Sequence, residues 1–159
     1  LAACAPTLDW REVRVDGGSL VALFPCRPGQ RARTVAMVGA TVRVEMSACT
    51  VAGSTYAVSF IELHDPTAVS GTLEALRAAA VANVSGVRPH VEPFGLAGMT
   101  PNPHAARLKV DGRLPDGSEV HEHAAFFVRG LHVYQASVIG AAPMPDAVEA
   151  FIGGLKFKS

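Results

Sequence analysis

The chain has 159 residues, 49% of them hydrophobic, enough for one sizeable core and too apolar for wholesale disorder. Lys plus Arg number 14 and Asp plus Glu number 14, a formal net charge of zero without the basic footprint of a nucleic-acid binder. No apolar run approaches the roughly 18 residues that span a bilayer as a helix.

The first residues carry the first signal. The three cysteines are Cys4, Cys26 and Cys49, and an odd count in an exported chain leaves one thiol to explain. Leu1-Ala2-Ala3-Cys4 resembles a bacterial lipobox, in which small residues before the cysteine admit the signal peptidase and the thiol carries a diacylglycerol. The charged and apolar parts of a signal peptide are missing, as in a chain cut just upstream of this motif. The other reading is a chance Leu-Ala-Ala-Cys. The resemblance implies an envelope lipoprotein held on a membrane through Cys4. Ala5, where an aspartate would favour retention, implies an outer-membrane lipoprotein facing the periplasm. Residues 1–9 then form the lipobox remnant and tether, and residues 10–159 one globular α+β domain.

With Cys4 set aside, Cys26 and Cys49 are the even number that an oxidising compartment predicts. Cys26 follows Phe24-Pro25 and Cys49 ends the run from Thr41 to Ala48, so both sit at strand ends that adjacent strands can bring together. Such a bridge is worth roughly 3 kcal/mol in the chain-entropy model. The alternative is two buried free thiols. No Cys-x-x-Cys suggests a redox or metal pair.

In chain order, Val13 and Val15 alternate with Arg14 and Asp16 at strand period, and Gly17-Gly18 turns the chain into a second strand, Ser19 to Phe24. Arg27 to Gln30 reads as a loop, Thr34 to Val38 as a strand, and Gly39-Ala40 as a turn. Val42, Val44 and Met46 then oppose Arg43 and Glu45 on the next strand, and Ala52-Gly53-Ser54 turns into Thr55 to Leu63. The period changes at Asp65, a helix cap with Pro66 at the first position. Val69, Leu73, Leu76, Ala80 and Val84 form one helical stripe, with Gly71 weakening its start so that Thr72 is a competing first residue. Ser85-Gly86 ends it. Residues 86–104 hold four prolines and allow a short strand, Val91 to Phe94, in what reads as a crossover. Ala105 to Leu114 alternates, Asp116-Gly117 turns, Ser118 to Arg129 returns, and Gly130 leads into Leu131 to Ile139. A last helix carries Val148, Phe151 and Ile152, Gly153-Gly154 stops it, and Leu155 to Lys158 reads as a short strand whose lysines discourage edge pairing.

Consecutive hairpins and two amphipathic helices give α+β, a mostly antiparallel β-sheet covered by helices. This element order, with Leu23-Phe24-Pro25 closing a strand, is similar to that of the PsbP-like proteins. The resemblance implies an α/β/α sandwich and a helper role beside a larger complex. The competing architecture is a cystatin-like roll.

Chemistry concentrates at His121-Glu122-His123. On a strand His121 and His123 share a face with Glu119, Ala125 and Phe127. Two imidazoles and a carboxylate suit zinc or copper if His90, His104 or His132 supplies a third imidazole; the alternative is a solvated strand surface. The row turns apolar towards Phe127, so a helix or the 86–104 segment should cover that end and leave the other open. Arg27, Arg31 and Arg33 gather near Cys26 and suit anionic lipid or glycan, or a solvated loop. Asp111 and Asp116 sit beside a turn. No Gly-x-Ser-x-Gly elbow or phosphate loop is present. The expectation is a lipid-anchored accessory or ligand-binding domain with no catalytic activity, no cofactor, no metal, no nucleic acid and an unidentified protein or small-molecule partner. The alternative is a small metal-binding protein using His121 and His123.

Overall fold

The computed structural model describes residues 8–158, so the lipobox motif and Cys4 lie outside the described residues. In chain order the elements are β1 (Arg11–Arg14), β2 (Leu20–Phe24), β3 (Gly29–Met37), β4 (Ala40–Val51), β5 (Ser54–Glu62), a 3₁₀ turn (Pro66–Ala68), α1 (Val69–Asn83), β6 (Val87–Pro93), β7 (Ala106–Arg113), β8 (Glu119–Arg129), β9 (His132–Gly140), α2 (Pro145–Gly153) and β10 (Lys156–Phe157). Every strand pairing is antiparallel. Seven strands form one sheet in the order β3-β4-β5-β9-β8-β7-β6, and β1-β2-β10 form a second. The fold class is α+β, as the alternation of hairpins and helical stripe implies. No helix among the described residues is long and apolar enough to cross a membrane.

The large sheet is apolar on both faces through its centre. On one face α1 lays its stripe of Val69, Leu73, Leu76, Ala80 and Val84, all buried, against Ile61, Leu108, Phe126 and Val133. On the other face α2 and the small sheet pack Phe24, Val148, Phe151 and Ile152 against Tyr56, Phe127, Tyr134 and Val138. Phe151 meets Phe24 and Tyr56 edge-on, with ring centroids 5.2 and 5.4 Å apart. β8 serves both layers: Ala125 and Phe127 face α2, while Ala124, Phe126 and Val128 face α1.

Three boundaries differ from the sequence expectation, each for a physical reason. β3 begins at Gly29, within the expected Arg27–Gln30 loop, because β4 is long enough to pair Gly29 with Ala48 and Gln30 with Ser47. The α-helix starts at Val69 and not Thr72, since Asp65 caps the preceding 3₁₀ turn through the Thr67 amide and feeds the chain into α1. Gly71 has a packing role there: a Cβ would stand 3.2 Å from Val38 at the tip of the β3–β4 hairpin. The third difference is β6, which runs Val87–Pro93 as an exposed edge strand, and its prolines fit because an edge has a side with no ladder to break. Beyond it Phe94, Leu96 and Met99 fold back onto the α2-side core, so the 86–104 segment does cover the Phe127 end.

Cys26 and Cys49 form a disulfide, with sulfurs 2.02 Å and Cα atoms 6.0 Å apart. It joins the end of β2 to β4 and so ties the small sheet to the large one. Replacing both by alanine is expected to lower the unfolding free energy by about 3 kcal/mol, measured by urea denaturation. Thiol titration of the folded chain carrying Cys4→Ser should find no free thiol before reductant is added.

Candidate functional site

Three groups of polar side chains stand out from the apolar layers. The first is the histidine face of β8. His121 and His123 share the α2 side, as the strand period requires, but the register separates their surroundings. His121 lies opposite Asp111, whose carboxylate contacts its Nδ1 at 2.5 Å and is held below the usual range by that contact. His123 lies opposite Lys109, near Arg107 and its ion-pair partner Glu149 of α2. Burial, then the charges of Lys109 and Arg107, push His123 below the ordinary histidine value.

The proposed third ligands are dispersed. His90 is separated from His123 by the intervening Lys109, His104 pairs with Glu74 on α1 at 3.3 Å, and His132 belongs to another cluster. Glu119 faces Arg113 at 3.7 Å. No group of three or more His, Cys, Asp or Glu among the described residues is placed to hold a metal. The fixed cations beside His123 would also repel a dication. Asp116 caps its own turn, accepting from the Ser118 amide and hydroxyl.

The second group lies on the same side of the large sheet, at its β3–β4 end. The β1–β2 loop leans over this end and leaves a cleft of about 480 Å³ lined by Arg14, Asp16, Gln30, Arg31, Arg43, Glu45, Ser47 and Phe60. Asp16 forms its inner wall. Sequence alternation placed Asp16 outward with Arg14, but β1 ends at Arg14 and the loop turns Asp16 inward, leaving its side chain 2% exposed. Its Oδ1 accepts from the amides of Gly18 (2.9 Å) and Leu20 (3.3 Å), and its Oδ2 accepts from the Tyr134 hydroxyl at 2.6 Å. His132 completes this chain, with Nδ1 3.3 Å from the Tyr134 oxygen and Nε2 donating to Glu62 at 2.9 Å. Burial, then the bond to Asp16, raises the Tyr134 hydroxyl above its ordinary pKa. The carboxylate oxygens of Asp16 are thus engaged inside the protein. Of the cleft's other charges, Arg14 donates to the Gly18 carbonyl at 2.9 Å and Arg43 stands 4.0 Å from Glu45. Arg31, set on the α1 face by its register with Met46, borders the cleft from the β3 edge. Arg31 was legible as part of the Arg27-Arg31-Arg33 cluster. Arg14, Arg43 and Asp16 were not, because only the folding-over of the β1–β2 loop brings them to β3 and β4.

The third group is a single side chain. Glu122 sits between the two histidines in sequence but faces α1, where it is 1% exposed beside Val110 and Ile139 of the flanking strands. Its Oε1 has no hydrogen-bond partner among the described residues, and burial pushes its carboxyl up to about 7.

Two outcomes follow from these environments. The folded Glu122 holds its proton more tightly than the unfolded chain, so its contribution favours folding most below pH 4.5 and is progressively lost as pH rises to about 7. Glu122→Met is expected to flatten that slope and to raise the unfolding free energy at pH 8 by roughly 3 kcal/mol, with a much smaller gain at pH 4. Urea denaturation across that range measures both. Tyr134→Phe removes a donor from the buried Asp16 carboxylate and should cost about 1.5–3 kcal/mol at pH 7 in the same assay.

No protein-family model and no curated protein sequence matches the chain.

Proposed function

We propose that the chain is a non-enzymatic binding domain of the bacterial envelope, anchored through lipid on Cys4 and facing the periplasm from the outer membrane. The disulfide between Cys26 and Cys49 supports the compartment, since such bonds persist where the surroundings are oxidising. The Leu-Ala-Ala-Cys sequence at positions 1–4 supports the anchor. A PsbP-like element order agrees with an accessory role.

The observation that carries the binding reading is the cleft between the β1–β2 loop and the β3–β4 hairpin. Arg14 and Arg43 line it, Arg31 borders it from the β3 edge, and the Asp16 carboxylate is engaged by Gly18, Leu20 and Tyr134, leaving guanidinium groups exposed on a concave surface beside Glu45 and Phe60. Guanidinium groups in such a setting recognise carboxylate or phosphate through paired N–H donors.

Titration of the isotope-labelled full chain with sodium tripolyphosphate is expected to shift the amide resonances of residues 14–17, 30–32 and 43–47. Arg14→Gln/Arg43→Gln should abolish those shifts. Shifts confined to β7 and β8, or none, would remove this reading. The anchor is tested separately: a labelled fatty acid should mark the protein in cells and should not mark Cys4→Ser.

A further inference from the structure

The two sheets have four edges among the described residues, and they are unequal. β10 has two residues and β1 has four. β6 is broken by Pro89 and Pro93, by a register shift between Val87 and His90, and by a positive φ of 55° at Arg88. These are the devices that keep an edge from pairing with another chain. β3 has none of them. It runs nine residues without proline, in unbroken register with β4 from Gly29–Ala48 to Met37–Ala40.

The hairpin geometry says which backbone groups this edge offers. Val38 and Gly39 form a two-residue turn, both at positive φ (50° and 75°), which makes Met37–Ala40 a hydrogen-bonded pair. Alternation from there points the N–H and C=O groups of Gln30, Ala32, Thr34 and Ala36 away from β4. No backbone hydrogen bond among the described residues reaches them from outside the sheet.

The side chains flanking the edge are cationic and set over cavities on both faces. On the α1 side Arg31 and Arg33 border a hollow of about 190 Å³ with Val44 and Met46. Neither guanidinium has an ion-pair partner among the described residues. On the other side Gln30 and Ala32 line the arginine cleft. An added strand sends alternate side chains to these two faces, so both hollows would receive them.

We propose that β3 is a receptor edge that takes an extended, acidic segment of a partner protein as an added strand, with carboxylates two residues apart on Arg31 and Arg33. The proposal rests on the binding reading above and names its partner class. Main-chain pairing would supply affinity and the flanking hollows selectivity, the general logic of strand addition. A second copy of this chain fits less well. A full-length antiparallel pair of two β3 strands centres on Arg33 and sets that cation against itself, which destabilises the pair.

The test uses the full chain and a fluorescein-labelled peptide, acetyl-Thr-Glu-Val-Glu-Val-Glu-Thr-amide, read by anisotropy. Binding should weaken at least about tenfold when lysines replace the glutamates, and as much when alternate peptide nitrogens are methylated to remove backbone donors. Ala32→Pro deletes one outward N–H and leaves the β4 ladder intact; it should cost at least about tenfold, with circular dichroism unchanged. Arg31→Glu/Arg33→Glu should reverse the preference towards the lysine peptide.

Equal binding of the lysine or methylated peptides would overturn the proposal. So would a concentration-dependent dimer that Ala32→Pro dissolves, which would identify a second copy as the occupant. Flotation with phosphatidylglycerol vesicles that survives Ala32→Pro, in a protein that ignores the peptide, would assign the arginines to lipid. Tripolyphosphate shifts in the cleft without peptide binding would defeat strand addition while leaving the binding domain in place.

Discussion

The buried carboxylate of Asp16 joins the small sheet to the large one. A three-stranded sheet of eleven residues, with strands of four, five and two residues, has little stability of its own. It persists because it shares a core with α2 and the large sheet, and because Asp16 binds its turn amides on one side and Tyr134 of β9 on the other. A charge in such a place is costly unless nearly every lone pair is met, and here three donors meet it. The same contacts fix the loop that walls the arginine cleft. Alongside the Cys26–Cys49 disulfide, one tie between the sheets therefore also shapes the candidate site.

The rest of the polar chemistry divides along the large sheet. At its β7–β8 end cations and anions pair closely, Arg107 with Glu149 and Arg113 with Glu119, and the Asp111 carboxylate contacts the His121 ring. Such a surface is largely self-compensated. At its β3–β4 end Arg31 and Arg33 stand without carboxylates beside them, and the nearby aspartate is turned inward. A chain of zero net charge can thus carry a local positive field, because its anions are engaged internally at one end and scarce at the other. Net charge describes bulk behaviour and does not describe this end of the sheet.

What the sequence disclosed followed from periodicity. The α1 stripe, the alternation of Ala106, Leu108 and Val110, and the turns at Gly53, Gly117 and Gly130 all depend on near neighbours, and all occur in the structure. The pairing of Cys26 with Cys49 was open to two readings and is a disulfide. The misread features depend on distant parts of the chain. Asp16 read as an outward strand residue beside Arg14, since its partner Tyr134 is 118 positions away. Glu122 looked like the middle of a histidine cluster, because nothing local reveals that α1 lies across that face of β8. The length of β3 escaped notice because its residues are exposed and polar, and its strand character comes from the register imposed by β4.

The place of β10 has a consequence for how the molecule is assembled. β2 is the central strand of the small sheet, and β10, its second neighbour, is the last strand of the chain. Lys158 reaches Glu12 across 146 positions. Contacts of that span pay a large loop-closure entropy before they return any energy, so they form late and slowly. The local hairpins of the large sheet and α1 can form while the small sheet still lacks its third strand. During synthesis β2 and the apolar seat of α2 stay open until α2 and β10 have emerged.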